Sequence, residues 1–104
     1  MKKIINGMRY NTETADQIAT WNNGRNTDDI GYRFESLYKT KKGNCFLAIE
    51  AYDIPKNRNQ DESVKWERTS SITAQSHDEA LSWLEEHDFD GEIEKHFSEH
   101  IEDA

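Results

Sequence analysis

The acidic residues of this chain are concentrated in its last 29 positions, which limits what that segment can become. Residues 76–104 contain one lysine and 11 aspartates or glutamates, a balance of −10, whereas residues 1–75 contain 12 basic and 10 acidic residues. A segment this acidic has to present most of its side chains to solvent. Only its few apolar positions are left to attach it to the rest of the molecule.

Those apolar positions recur at helical spacing. Ser76 is followed three residues later by Glu79, which is the sequence signature of a capping box and predicts a helix from there to about His87. At 100° per residue, one side of this helix gathers the apolar residues. Its inner side is predicted to carry Ala80, Leu81, Trp83, Leu84 and His87.

A second helix is predicted after a break at Asp88 to Gly91. It carries Ile93, Phe97 and Ile101 inward. Because the two helices are short and closely connected, we expect an antiparallel helical hairpin.

The N-terminal part begins with a strong turn signal. Asn6-Gly7 between short β-prone runs predicts a two-residue type I′ hairpin that joins Lys2–Ile5 to Met8–Tyr10. Asn11 or Thr12 is then predicted to cap a helix that runs to about Trp21. The inner face of that helix would carry Ala15, Ile18 and Ala19.

Further strands are predicted in the middle of the chain. Residues 32–40 alternate in polarity, and residues 45–52 form a second β-prone run after a turn at 41–44. Residues 53–63 are polar and predict a long loop, and residues 64–72 predict another strand around Trp66.

The predicted fold class is α+β within one compact domain. A unit over residues 1–74 combines a small antiparallel sheet with one helix, and residues 75–104 form the acidic two-helix hairpin. Since apolar and charged residues make up 34% and 33% of the chain, we expect a thin core in which aromatic residues dominate. The expected core residues are Trp21, Tyr32, Phe34, Tyr38, Phe46, Trp66, Trp83 and Phe97.

The compartment is predicted to be the cytoplasm. The N-terminal residues 1–7 have a basic start but no long apolar region, so they do not resemble a signal peptide. No apolar run is long enough to span a membrane. The single cysteine, Cys45, excludes an intramolecular disulfide.

Catalytic motifs give little support for an enzyme. His96 to His100 match H-x-x-E-H, the inverted zinc-protease pattern, but the chain continues for only four further residues, whereas that architecture needs a third ligand well downstream. Cys45 lies in an apolar strand pattern typical of a buried thiol. We therefore predict a protein that is not an enzyme and binds no cofactor, with a histidine-based metal-binding protein as one alternative.

The acidic segment predicts a partner-binding surface. Asp78 to Glu86 span about 12 Å of helix and bear four outward carboxylates, one per ~3–4 Å, which is close to the charge spacing of a single DNA strand. Such a surface would suit a basic protein groove that normally holds DNA, although a merely solubilising acidic face would also explain the composition. The predicted contact residues are Asp78, Glu79, Glu85, Glu86, Asp88, Asp90, Glu92, Glu94 and Glu99.

A second binding hypothesis uses the other end of the chain. The turn at Lys39, Lys41 and Lys42 adjoins aromatic strands, so the sheet face and this basic hairpin could meet a protein partner while the acidic end only confers solubility. Direct binding to nucleic acid is not expected, because a net charge of −8 repels phosphates.

The opening residues 2–15, KKIINGMRYNTETA, look like the start of small proteins carried by bacteria and their mobile elements. The layout of an N-terminal α/β unit, a polar linker and an acidic two-helix unit resembles a type I-C anti-CRISPR protein. That resemblance implies inhibition of a Cascade surveillance complex by DNA mimicry, with acidic residues that block target-DNA engagement by its large subunit. No individual contact residue is transferred by the resemblance.

Overall fold

The computed structural model describes residues 1–53 and 67–104, and it has the predicted α+β class. Six strands form two antiparallel sheets, and two short helices with a final 3₁₀ turn follow them. The strands are β1 (Lys2–Ile5), β2 (Met8–Asn11), β3 (Asp16–Asn22), β4 (Arg33–Lys39), β5 (Cys45–Asp53) and β6 (Glu67–Gln75). The helices are α1 (His77–Glu86) and α2 (Asp90–His96), and the 3₁₀ turn is Ser98–His100.

The predicted N-terminal hairpin is confirmed. β1 pairs antiparallel with β2, with Ile5 opposite Met8. The two turn residues between them, Asn6 and Gly7, both have positive φ, at 50° and 79°. A type I′ turn requires positive φ at both central positions, which asparagine and glycine tolerate best.

The helix predicted from Asn11 or Thr12 to Trp21 is wrong, because Asp16–Asn22 form strand β3. The Asn11 side chain does accept a hydrogen bond of the kind that caps a helix, from the Glu13 amide to its Oδ1 at 2.9 Å. A turn follows this bond, however, and not a helix. The wrong prediction is explained by a register shift of β3 between Gln17 and Ala19. This shift buries two consecutive residues, Ile18 and Ala19. Such a bulge breaks the two-residue period of a strand and imitates helical spacing.

The main sheet has four strands in the order β3-β4-β5-β6, all antiparallel. The predicted turn at 41–44 is confirmed: Gly43 has φ +91°, and the Thr40 amide donates to the Asn44 carbonyl oxygen at 2.8 Å. The strand predicted over 64–72 is confirmed over its described part and continues three residues further, since β6 ends at Gln75. The predicted start of that strand, which includes Trp66, lies outside the described residues. The loop predicted over 53–63 also lies outside them, except for residue 53, which is the last residue of β5.

One face of this sheet packs against the helices. The register places Leu37 of β4 opposite Leu47 of β5 and Ala19 of β3. These residues join α1 and α2 in one buried cluster. The cluster comprises Ile18, Ala19, Leu37, Cys45, Leu47, Ala80, Trp83, Leu84, Ile93 and Phe97.

The opposite face carries the β1–β2 hairpin. Tyr10 packs edge-on against Phe46 with ring centroids 5.4 Å apart, and Ile72 completes this second cluster. The expected aromatic core is only partly confirmed, because aliphatic residues share it. Phe46, Trp83 and Phe97 are buried, whereas Trp21, Tyr32, Phe34 and Tyr38 are half-buried.

The first acidic helix is confirmed with its capping box. The Ser76 hydroxyl accepts a hydrogen bond from the Glu79 amide at 3.0 Å, and Glu79 Oε1 accepts one from the Ser76 amide at 2.9 Å. Ala80, Trp83 and Leu84 are buried, as the periodicity predicts, and Leu81 and His87 are half-buried.

The second helix is shorter than predicted, and the helical course expected through Ile101 is wrong. α2 ends at His96, and Phe97 leaves the helical conformation with φ −134°. A seven-residue helix has little stability of its own, so it depends on burying Ile93 and Phe97. Ile101 does not point inward, since 42% of its surface is exposed.

Candidate acidic binding surface

The nine predicted contact residues all lie on the helical layer that covers one face of the sheet. Eight of them are exposed, and Glu92 is half-buried. α1 carries four, α2 carries three, and one each lies in the connection and in the 3₁₀ turn. In chain order they are Asp78, Glu79, Glu85, Glu86, Asp88, Asp90, Glu92, Glu94 and Glu99.

The four carboxylates of α1 do not lie in a single row. Asp78, Glu79 and Glu86 line a shallow groove of about 350 Å³ on one flank of α1, where Trp83 also contributes. Glu85 instead lines a cleft of about 420 Å³ on the other flank, together with residues of α2 and the C-terminal tail. α1 therefore presents two acidic depressions separated by its outer ridge.

Glu79 has a structural role as well as a charge. The Ser76 amide, and secondly the Ser76 hydroxyl, hydrogen-bond with Glu79 and hold the pKa of its carboxyl below its ordinary value. Carboxylates in the first helical turn also interact favourably with the helix dipole. Glu79 is consequently ionised over a wider pH range than an ordinary glutamate.

The acidic surface is not neutralised from within the described part of the molecule. The two salt bridges between described residues are Arg33–Glu35 and Arg68–Asp28, and neither includes one of the nine. Like charges at helical spacing repel one another and lower helix stability by a few tenths of a kcal/mol per pair. The layer therefore keeps an unfavourable concentration of negative charge, which a cationic partner would relieve.

A buried polar contact holds α1 in place, and the sequence pattern did not reveal it. The indole Nε1 of Trp83 donates to Glu35 Oε1 at 2.8 Å, and Arg33 Nε donates to Glu35 Oε2 at 2.6 Å. At the same end, the His87 ring stacks on Trp21 with centroids 4.6 Å apart. The alternation of β4 puts Glu35 on the Leu37 side of the strand, but its partner depends on the tertiary fold.

The connection between the helices is fixed by backbone geometry. Asp88 has φ +60°, its amide donates to the Glu85 carbonyl at 3.2 Å, and the Phe89 amide donates to the Leu84 carbonyl at 2.9 Å. These two bonds form a Schellman motif with aspartate in the position that glycine usually occupies. The last turn of α1 and the start of α2 are thereby held in a defined relation.

The three lysines of the basic hairpin have different environments: one contacts α2 and two are exposed. Lys39 Nζ donates to the His96 carbonyl at 3.1 Å and lies 4.8 Å from the centre of the Phe97 ring, so it helps to fix the end of α2. Lys41 and Lys42 are exposed and share a depression of about 350 Å³ with Arg9 of the N-terminal hairpin.

The histidines and the cysteine do not form a metal-binding cluster in the part of the chain that is described. No group of three or more His, Cys, Asp or Glu side chains there is arranged to hold a metal ion. His96 ends α2 and His100 lies in the 3₁₀ turn, so the single continuous helix that H-x-x-E-H requires is interrupted. Cys45 is 1% exposed, and burial raises the pKa of its thiol while nearby Lys39 lowers it.

Across residues 1–53 and 67–104, no helix has both the length and the apolar character needed to cross a bilayer. No family model, curated protein or solved structure matches this chain.

Proposed function

We propose that this protein is an anti-CRISPR-type inhibitor that acts in the cytoplasm of a bacterial host. It binds a nucleic-acid-binding complex through its acidic helical layer and blocks target-DNA binding. The target implied by the sequence resemblance is type I-C Cascade, through a basic groove of its large subunit. The observation that supports this proposal best is the set of nine carboxylates, eight of them exposed, without a salt bridge to any described residue.

The mechanism is competition for a cationic groove. Along its axis α1 carries about one carboxylate per ~3–4 Å, near the charge spacing of a DNA strand, although these carboxylates are divided between its two flanks. The carboxylates of α2 extend the negative surface. Electrostatic attraction would speed the encounter with a basic groove, and ion pairing would then displace counterions as DNA phosphates do. No bond is made or broken, and no cofactor is needed.

The experiment measures how purified protein affects binding of a fluorescent target duplex to purified type I-C Cascade. Wild-type protein should reduce duplex binding, with weaker inhibition as salt concentration rises. The double substitution E85K/E86K changes one residue in each acidic depression. It should raise the concentration for half-inhibition by at least about tenfold, because like charges facing a cationic groove cost several kcal/mol.

A matched control distinguishes the effect of where the charges are changed from the effect of the change in net charge. Glu13 and Glu50 are exposed and lie outside the helical layer, so E13K/E50K changes the net charge equally. This control should inhibit like wild type. Equal loss by both double variants would indicate a general charge effect, and unimpaired inhibition by E85K/E86K would contradict the mimicry mechanism.

The alternative protein-binding surface is supported by one observation, the convergence of Arg9, Lys41 and Lys42 around one depression. If that surface is the functional one, K41E/K42E should abolish partner capture and E85K/E86K should leave it intact. The same set of variants thus distinguishes the two proposals.

A further inference from the structure

The cleft on the Glu85 flank of α1 has an apolar floor. Leu81 of α1, Ile93 of α2 and Ile101 after the 3₁₀ turn contribute to it, and its volume is about 420 Å³. Ile93 is buried, Leu81 is half-buried, and 42% of the Ile101 surface is exposed. A cleft of this size, with three apolar residues among its mostly polar lining, can take an apolar side chain from a partner.

The rim of this cleft is negatively charged. Four exposed carboxylates border it, and none forms a salt bridge with another described residue. An anionic occupant, including nucleic acid, would be repelled, whereas lysine or arginine side chains would gain ion pairs. The four are Glu85, Asp90, Glu94 and Glu102.

We propose that this cleft is a docking site for a basic amphipathic segment of the partner protein. An apolar side chain of that segment enters between Leu81, Ile93 and Ile101, and its flanking lysines or arginines pair with the rim. This inference builds on the proposed function, because it assigns to the same acidic layer the kind of partner element that it contacts.

An apolar anchor would add selectivity between partners, which a surface that imitates only the charge of DNA lacks. A surface that copied only the charge of DNA would compete for many DNA-binding proteins with little discrimination. DNA phosphates offer no apolar counterpart to Ile101, so a contact there depends on the partner's own protein sequence. Affinity in interfaces is commonly dominated by a few such buried anchors inside a polar rim.

The first test uses two synthetic 18-residue peptides of equal positive charge. One carries leucine at helical i, i+3, i+4 and i+7 spacing among lysines and arginines, and the other has serine in place of each leucine. Binding to the full chain is followed by amide NMR titration. The leucine peptide should bind at least about tenfold more tightly, as expected for burying part of a large aliphatic side chain.

The shifted amide signals should centre on Leu81, Ile93 and Ile101. Equal affinity for the two peptides would overturn the proposal, because charge alone would then explain binding. Shifts that centre elsewhere on the chain would overturn it as well.

The second test substitutes Ile101, whose exposure makes a folding defect unexpected. I101S should weaken binding of the leucine peptide about tenfold and leave binding of the serine peptide unchanged. The matched control is I4S, which removes the same side chain from an N-terminal position that is 64% exposed. Equal effects of I101S and I4S would overturn the docking site.

The Cascade assay separates this inference from the proposed function. If E85K/E86K abolishes inhibition but I101S does not reduce it, the inhibitor function stands and the docking site is overturned. If the leucine peptide binds the cleft but wild-type protein leaves Cascade unaffected, the docking site is supported and the proposed function fails.

Discussion

The indole of Trp83 donates a hydrogen bond to the buried carboxylate of Glu35 at 2.8 Å, across 48 positions of sequence. This contact joins the centre of the sheet, in β4, to the first acidic helix, α1. Glu35 is only 9% exposed, and its second oxygen accepts from Arg33. The position of the acidic surface therefore depends on a polar contact inside the core.

We expect E35L to lower the free energy of unfolding by about 1–3 kcal/mol, because the Trp83 N–H would lose its buried acceptor. E35Q should cost less, since an amide oxygen still accepts that hydrogen bond. Urea unfolding followed by circular dichroism gives both values. A variant E35L as stable as wild type would show that this contact does not stabilise α1.

The capping box predicts a pH dependence of stability. The pKa of Glu79 is lowered in the folded state by hydrogen bonds with Ser76. Its contribution is therefore present above the ordinary pKa of a glutamate and is lost as the pH falls through the lowered folded pKa. E79Q should be less stable than wild type near pH 7, and this difference should shrink as the pH falls into that acidic range.

The control for this prediction is D78N, which removes a neighbouring charge without removing a capping group. Urea midpoints measured from pH 7 to pH 2.5 should show a larger pH-dependent loss for E79Q than for D78N, because only Glu79 forms the hydrogen bonds with Ser76. Similar losses for the two variants would assign the effect to the interaction of first-turn carboxylates with the helix dipole and not to the capping box. S76A should lower the free energy of unfolding by about 1 kcal/mol, as is usual for loss of an N-cap side chain.

Local signals predicted this fold where a short stretch of sequence determines its own geometry. The Asn6-Gly7 turn and the Ser76/Glu79 capping box are of this kind, and both are confirmed. Prediction failed over residues 11–21, where the bulge beside Ile18 imitates a helical pattern. A strand at this position is set by pairing with β4, which single-sequence periodicity does not register.

The acidic composition of the helical layer follows from the sequence, but the arrangement of its carboxylates does not. The nine acidic residues do share the helical layer, yet Glu85 and Glu86 face different depressions. Consecutive helical residues are 100° apart, so these two side chains diverge, and the depressions that they line depend on the neighbouring α2 and the C-terminal tail. The exposure of Ile101 was missed for a similar reason, since α2 ends before it and the apolar stripe is not continued.

Cys45 should be chemically inert in the folded protein. It is 1% exposed, and burial raises the pKa of its thiol, so little reactive thiolate is available at neutral pH. Modification by a disulfide reagent should be at least about a hundredfold slower in buffer than in denaturant, because it requires transient opening of the core. Comparable rates in the two conditions would contradict the buried position of Cys45.

Asp88 offers a way to raise stability within the predicted surface. Its φ of +60° strains a residue with a side chain, and glycine adopts this conformation without a Cβ clash. We expect D88G to raise the free energy of unfolding by about 0.5–1 kcal/mol. Thermal and urea unfolding monitored by circular dichroism would measure the change.

D88N separates backbone strain from charge, because it removes the carboxylate and keeps a side chain on Cβ. Asparagine tolerates positive φ about as well as aspartate, so D88N should lie close to wild type if strain is the main term. Equal stabilisation by D88N and D88G would instead identify repulsion between the acidic side chains as the cause. D88G and D88N lose the same charge, so a difference between them in partner binding would reflect the rigidity of the turn between α1 and α2.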